Sequence, residues 1–264
     1  QVNAVSKSFG AIHALTDVSF SLEAGEVVGF MGDNGAGKST LVKIISGGLQ
    51  PTSGRVLFEG EERHFASPAQ AKAAGIETVY QDLSLCTNVD VVANFFMGRE
   101  IVKRYFGIPV LQEAEMERIA AQAIADAGTR IPSLHTNVEH LSGGQRQAIE
   151  LNRFVHFGGK LVLLDEPFAA LGVEQTRRGL ETIRRVAAQG IGVIIITHIM
   201  QQAFQVADRI VVIRQGSVAG DVPSGSTTPE DVIAMITGDP LLRGSPARSG
   251  PTGPRLHQQQ GDVT

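Results

Sequence analysis

The sequence has no long hydrophobic run. Its longest, "LVLL" at 161 to 164 and "IGVIII" at 191 to 196, fall far below the roughly 20 residues a bilayer crossing needs. The chain is therefore not expected to span a membrane, and any part in transport requires another polypeptide. Cysteine is nearly absent: Cys86 alone excludes an internal disulfide and a cysteine-based metal cluster, suits a reducing cytosol, and is expected to be a small buried apolar side chain. Positive charge is not in excess. With 23 Lys+Arg against 27 Asp+Glu, the net charge of -4 makes no electrostatic case for nucleic acid. No secretory signal pattern opens the chain and no internal repeat is found. The start at Gln1 rather than methionine gives the expectation that the native N-terminus lies upstream.

What is present divides the 264 residues into regions of different periodicity. To about residue 65, stretches such as "DVSFSLEAGEVVGFMG" and "SGRVLFEGEERHF" predict short strands with glycine-rich turns, interrupted by a helix from about Ser39. Ser67-Pro68 predicts a capped short helix that Gly75 ends, followed by the strand "IETVYQ". From about Asp82 to His140 the strands are expected to stop and helical spacing to take over. There Met116, Ile119, Ala120, Ala123, Ile124 and Ala127 recur at helical intervals, with Gly128 at the stop. From Leu141, near-continuous apolar strands alternate with helices, which predicts a parallel sheet covered on both faces. The tail from Asp239, rich in Pro, Gly, Ser and Gln, is expected to be disordered.

Two motifs carry chemistry. "GDNGAGKST", Gly32 to Thr40, follows an apolar strand and opens a helix. Its residues Gly32, Asp33, Asn34, Gly35, Ala36 and Gly37 let backbone N–H groups converge on phosphate oxygens, beside the partial positive charge of a helix start. Lys38 would reach the β and γ phosphates, and the Ser39 hydroxyl, next to Thr40, would complete a magnesium shell. "LLDEPFAALG", Leu163 to Gly172, ends a second buried strand with two acids. Asp165 could hold magnesium, and Glu166, facing differently, could accept a proton from an attacking water.

A third motif, "LSGGQ" at Leu141 to Gln145, makes the chain resemble the ATPase cassette of ABC transporters from about Val5 to Gly238. The resemblance implies an α/β fold: a P-loop NTPase core with a parallel sheet, an N-terminal antiparallel β subdomain and a helical subdomain inserted at about 82–140, all in one domain, 1–238, followed by the tail 239–264. It implies ATP and Mg2+ as cofactors. It assigns Gln81 to sensing γ-phosphate and magnesium and relaying to the membrane subunit, His198 to steadying the attacking water, and Phe9 to stacking on adenine. Ser142, Gly143, Gly144 and Gln145 would close over the nucleotide of a partner cassette, so that two chains pack head to tail around two ATP molecules. Permease subunits, indirectly an extracytoplasmic sugar-binding protein, and a peripheral place at the cytoplasmic face of the inner membrane complete the implied setting. "GDNGAGKSTLVKIISG", "SPAQAKAAGIETVYQDLSL", "MGRE" and "EPFAALG" resemble the branch that imports monosaccharides such as ribose, xylose or fructose.

Two positions depart from the family pattern. Gly172 stands where an aspartate is common in a loop crossing the dimer interface, and Phe168 stands where a threonine is usual. The alternatives are a soluble ABC ATPase outside transport, a P-loop small-molecule kinase, disfavoured by "LSGGQ", and a hydrolysis-poor regulatory subunit.

Overall fold

The computed structural model describes residues 1–79, 85–126, 130–169 and 171–239. Gln81, Ala127, Gly128 and the tail past Asp239 lie outside the described residues.

The chain opens with the antiparallel strands β1 (Val2–Phe9) and β2 (Ile12–Phe20), turns into β3 (Val27–Met31), enters α1 (Lys38–Ile45) and returns as β4 (Ser53–Phe58) and the short β5 (Glu61–Glu62). α2 (Pro68–Ala74), ended by Gly75 in a left-handed conformation, leads into β6 (Ile76–Val79). Next come α3 (Val91–Phe96), β7 (Val102–Tyr105), β8 (Ile108–Leu111) and α4 (Glu113–Asp126). The remainder alternates: α5 (Gly143–Phe157), β9 (Leu161–Asp165), α6 (Val173–Ala188), β10 (Gly192–Ile196), α7 (Met200–Val206), β11 (Arg209–Arg214), β12 (Ser217–Pro223) and α8 (Pro229–Thr237).

The main sheet has the order β12-β11-β3-β10-β9-β6. All its pairs are parallel except the edge hairpin of β11 and β12. β3, β9 and β10 are buried at every position because both faces are covered, which is why their sequences are runs and not alternations. The period of two survives inside those runs. Val28, Phe30, Leu163, Ile194 and Ile196 join α1 and the antiparallel strands in one core, whereas Val27, Val162, Leu164, Val193 and Ile195 join α6, α7 and α8 in another. The antiparallel sheet, ordered β2-β1-β4-β5, is keyed to the main sheet by Phe20 and Phe30, whose rings meet edge to face at 4.9 Å.

The described residues between 85 and 140 pack with α5 in apolar clusters separate from these two cores. Phe95, Phe96, Met116 and Ala120 form one, and Val91, Ile124, Val138 and Ile149 another, so the helical spacing read along α4 does mark its buried face. The expectation that strands stop there is corrected by the β7–β8 hairpin. Phe106 and Gly107 at its tip have φ of 49° and 84°, the two positive values of a tight hairpin turn. Val102, Tyr105, Phe106, Ile108, Val110 and Leu111 are all exposed, so no face alternates with water and periodicity could not reveal the strands.

Cys86 is exposed, correcting its reading as a buried side chain. The buried position beside it belongs to Asn94. That amide accepts from the Cys86 N–H at 2.8 Å and donates to the carbonyls of Cys86, Val89 and Asp90. The turn's polar backbone needs those bonds more than the core needs a thiol.

Candidate functional site

Three parallel strands end together. Phe30 of β3 pairs with Ile196 of β10, and Ile196 with Asp165 of β9, so the segments that follow converge on one edge, where open α/β sheets bind ligands. β3 continues into Gly32, β9 into Glu166 and β10 into His198. β6 runs parallel with them, its Val79 beside Leu164.

Gly32, Asp33, Asn34, Gly35, Ala36 and Gly37 form the loop, and Lys38, Ser39 and Thr40 open α1. Gly37 has φ of 108°, and a Cβ there would lie 2.6 Å from the Ala14 carbonyl oxygen and 2.7 Å from Leu15 Cδ2. That close approach, open only to glycine, fastens the loop to β2. Ala36 O accepts from Gly216 N at 3.0 Å, which fastens it to the β11–β12 turn as well.

Lys38 is buried, and its ammonium donates to the carbonyls of Gly32 at 2.7 Å and Asp33 at 2.8 Å. Burial holds its pKa below the ordinary lysine value, with Glu166, Asp165 and Asp33 pulling it back up. Such a cation can exchange neutral carbonyls for phosphate oxygens, which make the stronger, charge-assisted bonds.

Asp165 is also buried. Burial raises its carboxyl above the ordinary value, and a hydrogen bond from the Ser39 hydroxyl opposes the rise. One carboxylate and one hydroxyl suit magnesium, which keeps waters and phosphate oxygens in the rest of its octahedron. Among the described residues no three His, Cys, Asp or Glu gather into an all-protein metal cage.

Glu166 points elsewhere, as expected. Its φ of 50° swings the chain out of the strand, and its N–H donates to Ile196 O at 2.9 Å. Its Oε1 accepts from the His198 N–H at 3.0 Å and lies 2.9 Å from His198 Nδ1. A carboxylate that is ionised only accepts, and the contact with it then takes an imidazole that carries its proton on Nδ1. The carboxylate is mostly enclosed while the imidazole is open to solvent.

The remaining residues are distributed around this edge. Phe9 is 47% exposed at the end of β1, two residues beyond Lys7, whose partner Leu15 touches Gly37; the Lys7 ammonium stands 5.2 Å from the ring centroid. In the "SGGQ" stretch the Ser142 hydroxyl accepts from Gln145 N at 3.3 Å, and Gln145 Oε1 accepts from Ser142 N at 3.0 Å. This is a capping box at the start of α5. Gln145 Nε2 also donates to Arg130 O at 2.8 Å, and Gly143 and Gly144 leave that first turn bare.

The two positions that depart from the family pattern lie between β9 and the start of α6. Gly172 is the N-cap of α6 with ordinary extended backbone, φ -72° and ψ 170°, so nothing there requires glycine. Phe168 is buried in the core cluster of Leu180 and Ile183, with its ring against Gly179. A glycine eleven residues on in "VEQTRRGLETIRRVAAQG" was the available signal.

A phosphate-cradling loop, a buried carboxylate bonded to its serine and a second carboxylate bonded to a histidine, on one edge of a parallel sheet, define a P-loop nucleotide-binding protein. The family model described as ABC transporter matches residues 15–169, and the chain belongs to the ABC transporter ATPase family. The xylose/arabinose import ATP-binding protein XylG of Sulfolobus acidocaldarius is 43% identical over 237 residues, 90% of this chain and 93% of that protein. The fructose import ATP-binding protein FrcA of Rhizobium meliloti is 41% identical over 238 residues, 88% and 91% of the two chains. Among solved structures, a nucleotide-free ATP-binding cassette from an ABC transporter superposes with a TM-score of 0.75 at 25% identity, covering 91% of this chain and 95% of that one.

Proposed function

We propose that the chain hydrolyses ATP to drive a monosaccharide importer, as one of two like cassettes under a permease at the cytoplasmic face of the inner membrane. The observation that carries this reading is similarity to two sugar-import ATP-binding proteins along nearly their whole length. In keeping with a permease-borne subunit, no described helix is long and apolar enough to cross a membrane.

In this reading the loop from Gly32 to Gly37, with the start of α1, cradles the phosphates, and Lys38 binds the β and γ groups. Ser39 and Asp165, with Gln81, would hold Mg2+, which when bound would neutralise phosphate charge. Glu166 takes a proton from the attacking water, and His198 fixes the carboxylate and meets the γ-phosphate. Phe9 stacks on adenine. The bare first turn of α5, Ser142 to Gln145, faces the nucleotide of the second copy, so ATP is part of the interface and its hydrolysis releases it.

The permease docks in the cleft between β6 and the insertion. A cavity of about 280 Å³ there is lined by Lys72, Glu77, Met97, Arg99, Arg153 and Phe157. Arg99 pairs with Glu77 and lies over the Phe157 ring at 4.9 Å, and Arg153 donates to Met97 O at 2.6 Å. Lys72→Glu is expected to lower permease recovery in co-purification by about fivefold, roughly 1 kcal/mol of docking energy, with the ATPase rate of the isolated subunit unchanged. Full recovery would move the docking place elsewhere.

In the same reading Gly172 loosens communication between the two ATP sites without stopping hydrolysis. An aspartate Cβ at 172 would meet the end of the flexible Gln175 side chain, with Oε1 at 2.8 Å and Cδ at 3.8 Å, and its carboxylate would cap α6. Gly172→Asp is therefore expected to fold normally, gain about 0.3 kcal/mol and raise cooperativity in ATP. Unchanged rate and Hill coefficient would remove Gly172 as the loosening element.

The experiment that tests the whole reading is co-purification with the permease and a screen of sugars for stimulation of magnesium-dependent ATPase activity. Phosphate transfer to a small molecule in place of hydrolysis would overturn it.

A further inference from the structure

The geometry points to Phe168 as a positioning residue: we propose that its ring, seated in a notch left by Gly179 in α6, holds Glu166 in its left-handed turn and keeps the carboxylate on His198. The proposal rests on Glu166 acting as the base in ATP hydrolysis.

Phe168 stands two residues after Glu166, on the segment that leaves β9. It is 3% exposed, within the cluster that joins β9 to α6 through Leu164, Leu180 and Ile183. Gly179 lies buried in the interior of α6, a place where glycine weakens a helix unless something needs the room. A Cβ at 179 would stand 3.0 Å from Phe168 Cζ, 3.2 Å from Cδ1 and closer still to Cε1. The ring thus rests on bare helix backbone, and the two residues form a ball and socket.

The ring is rigidly linked to Glu166. Ala169 N donates to Glu166 O at 3.3 Å and Leu171 N to Phe168 O at 3.1 Å, so a hydrogen-bonded turn that begins at Glu166 carries Phe168. At its far end Leu171 packs into the same core, with its Cδ2 3.3 Å from where a Cβ on Gly144 would lie. A glutamate at φ 50° is a sparsely populated conformation that persists only where surroundings over-determine it. One bond to Ile196 O fixes the strand side of that turn. The Phe168 socket fixes the other.

The test measures kcat, KM for ATP and melting temperature in four variants. Phe168→Ala should lower kcat by about tenfold or more, the scale of loss from a misplaced reacting group, with KM for ATP within about twofold because Lys38 and the loop are untouched. Phe168→Leu should keep most of the activity. Gly179→Ala should push the ring out and lower kcat, and Phe168→Leu/Gly179→Ala should restore it, since the smaller side chain clears the new methyl. Should Phe168→Ala not fold, the Gly179→Ala pair carries the test alone. Wild-type kcat in folded Phe168→Ala, kcat loss that only tracks KM and melting temperature, or Gly179→Ala inactivity unrelieved by Phe168→Leu would each overturn the positioning role. Glu166→Gln in parallel separates the two ideas: normal turnover there overturns the base itself, whereas an inactive Glu166→Gln beside a fully active Phe168→Ala overturns only the positioning.

Discussion

Glu166→Gln is expected to bind ATP as tightly as the parent chain and to turn it over at least about 100-fold more slowly, a barrier increase of about 2.7 kcal/mol. The amide is the same size and keeps an oxygen to accept from the His198 N–H and Nδ1, so the 2.9–3.0 Å contacts and the turn at 166 survive. What it loses is the lone-pair basicity that takes a proton from water. Binding should be spared because the proposed phosphate contacts are those of Lys38 and the loop from Gly32 to Gly37. ATP-trapped dimers by size-exclusion chromatography, with single-turnover hydrolysis followed in parallel, give both halves of the result. Rapid turnover would remove Glu166 as the base and turn attention to His198.

Lys38→Ala is expected to fail earlier, at binding. The ammonium is buried among the Gly32 and Asp33 carbonyls, within the field of Asp165, Glu166 and Asp33. It is the cation that makes this acidic edge acceptable to a polyphosphate. Without it the incoming phosphates meet three carboxylates, and ATP affinity should fall by about 100-fold or more, the loss of a charge-assisted bond plus uncompensated repulsion. The fold should tolerate the change, because a desolvated charge is removed and only loop carbonyls, close to solvent, lose a donor. Equilibrium binding of a fluorescent ATP analogue checks the first statement and thermal melting the second. ATP affinity within about twofold of the parent would mean that the loop amides suffice and that Lys38 acts later, on the transition state.

The parallel core was legible because β3, β9 and β10 are apolar on both faces and the helices between them carry apolar faces, so local pattern and global fold agree. The insertion was only half legible. Its helices bury Phe95, Met116, Ala120 and Ile124 at helical spacing, whereas the β7–β8 hairpin hides no face and leaves no period to read. Cys86 misled for a related reason, since residue type carries a tendency to be buried but the Asn94 hydrogen bonds decide which neighbour occupies the inside.

By itself, the sequence determined what chemistry is available: a glycine-rich loop ending in Lys38 and Ser39, two acids closing an apolar run, a "SGGQ" start to α5 and a histidine after the apolar run at 191–196. These are local patterns, each formed by neighbours along the chain, and composition cannot disguise them. Only the tertiary structure decided that Phe30, Ile196 and Asp165 stand side by side, that Glu166 shares its oxygen with His198, and that the Phe168 ring lies against Gly179. Such pairings join residues separated by other elements of the chain, through strand register and the space one backbone leaves for another's side chain.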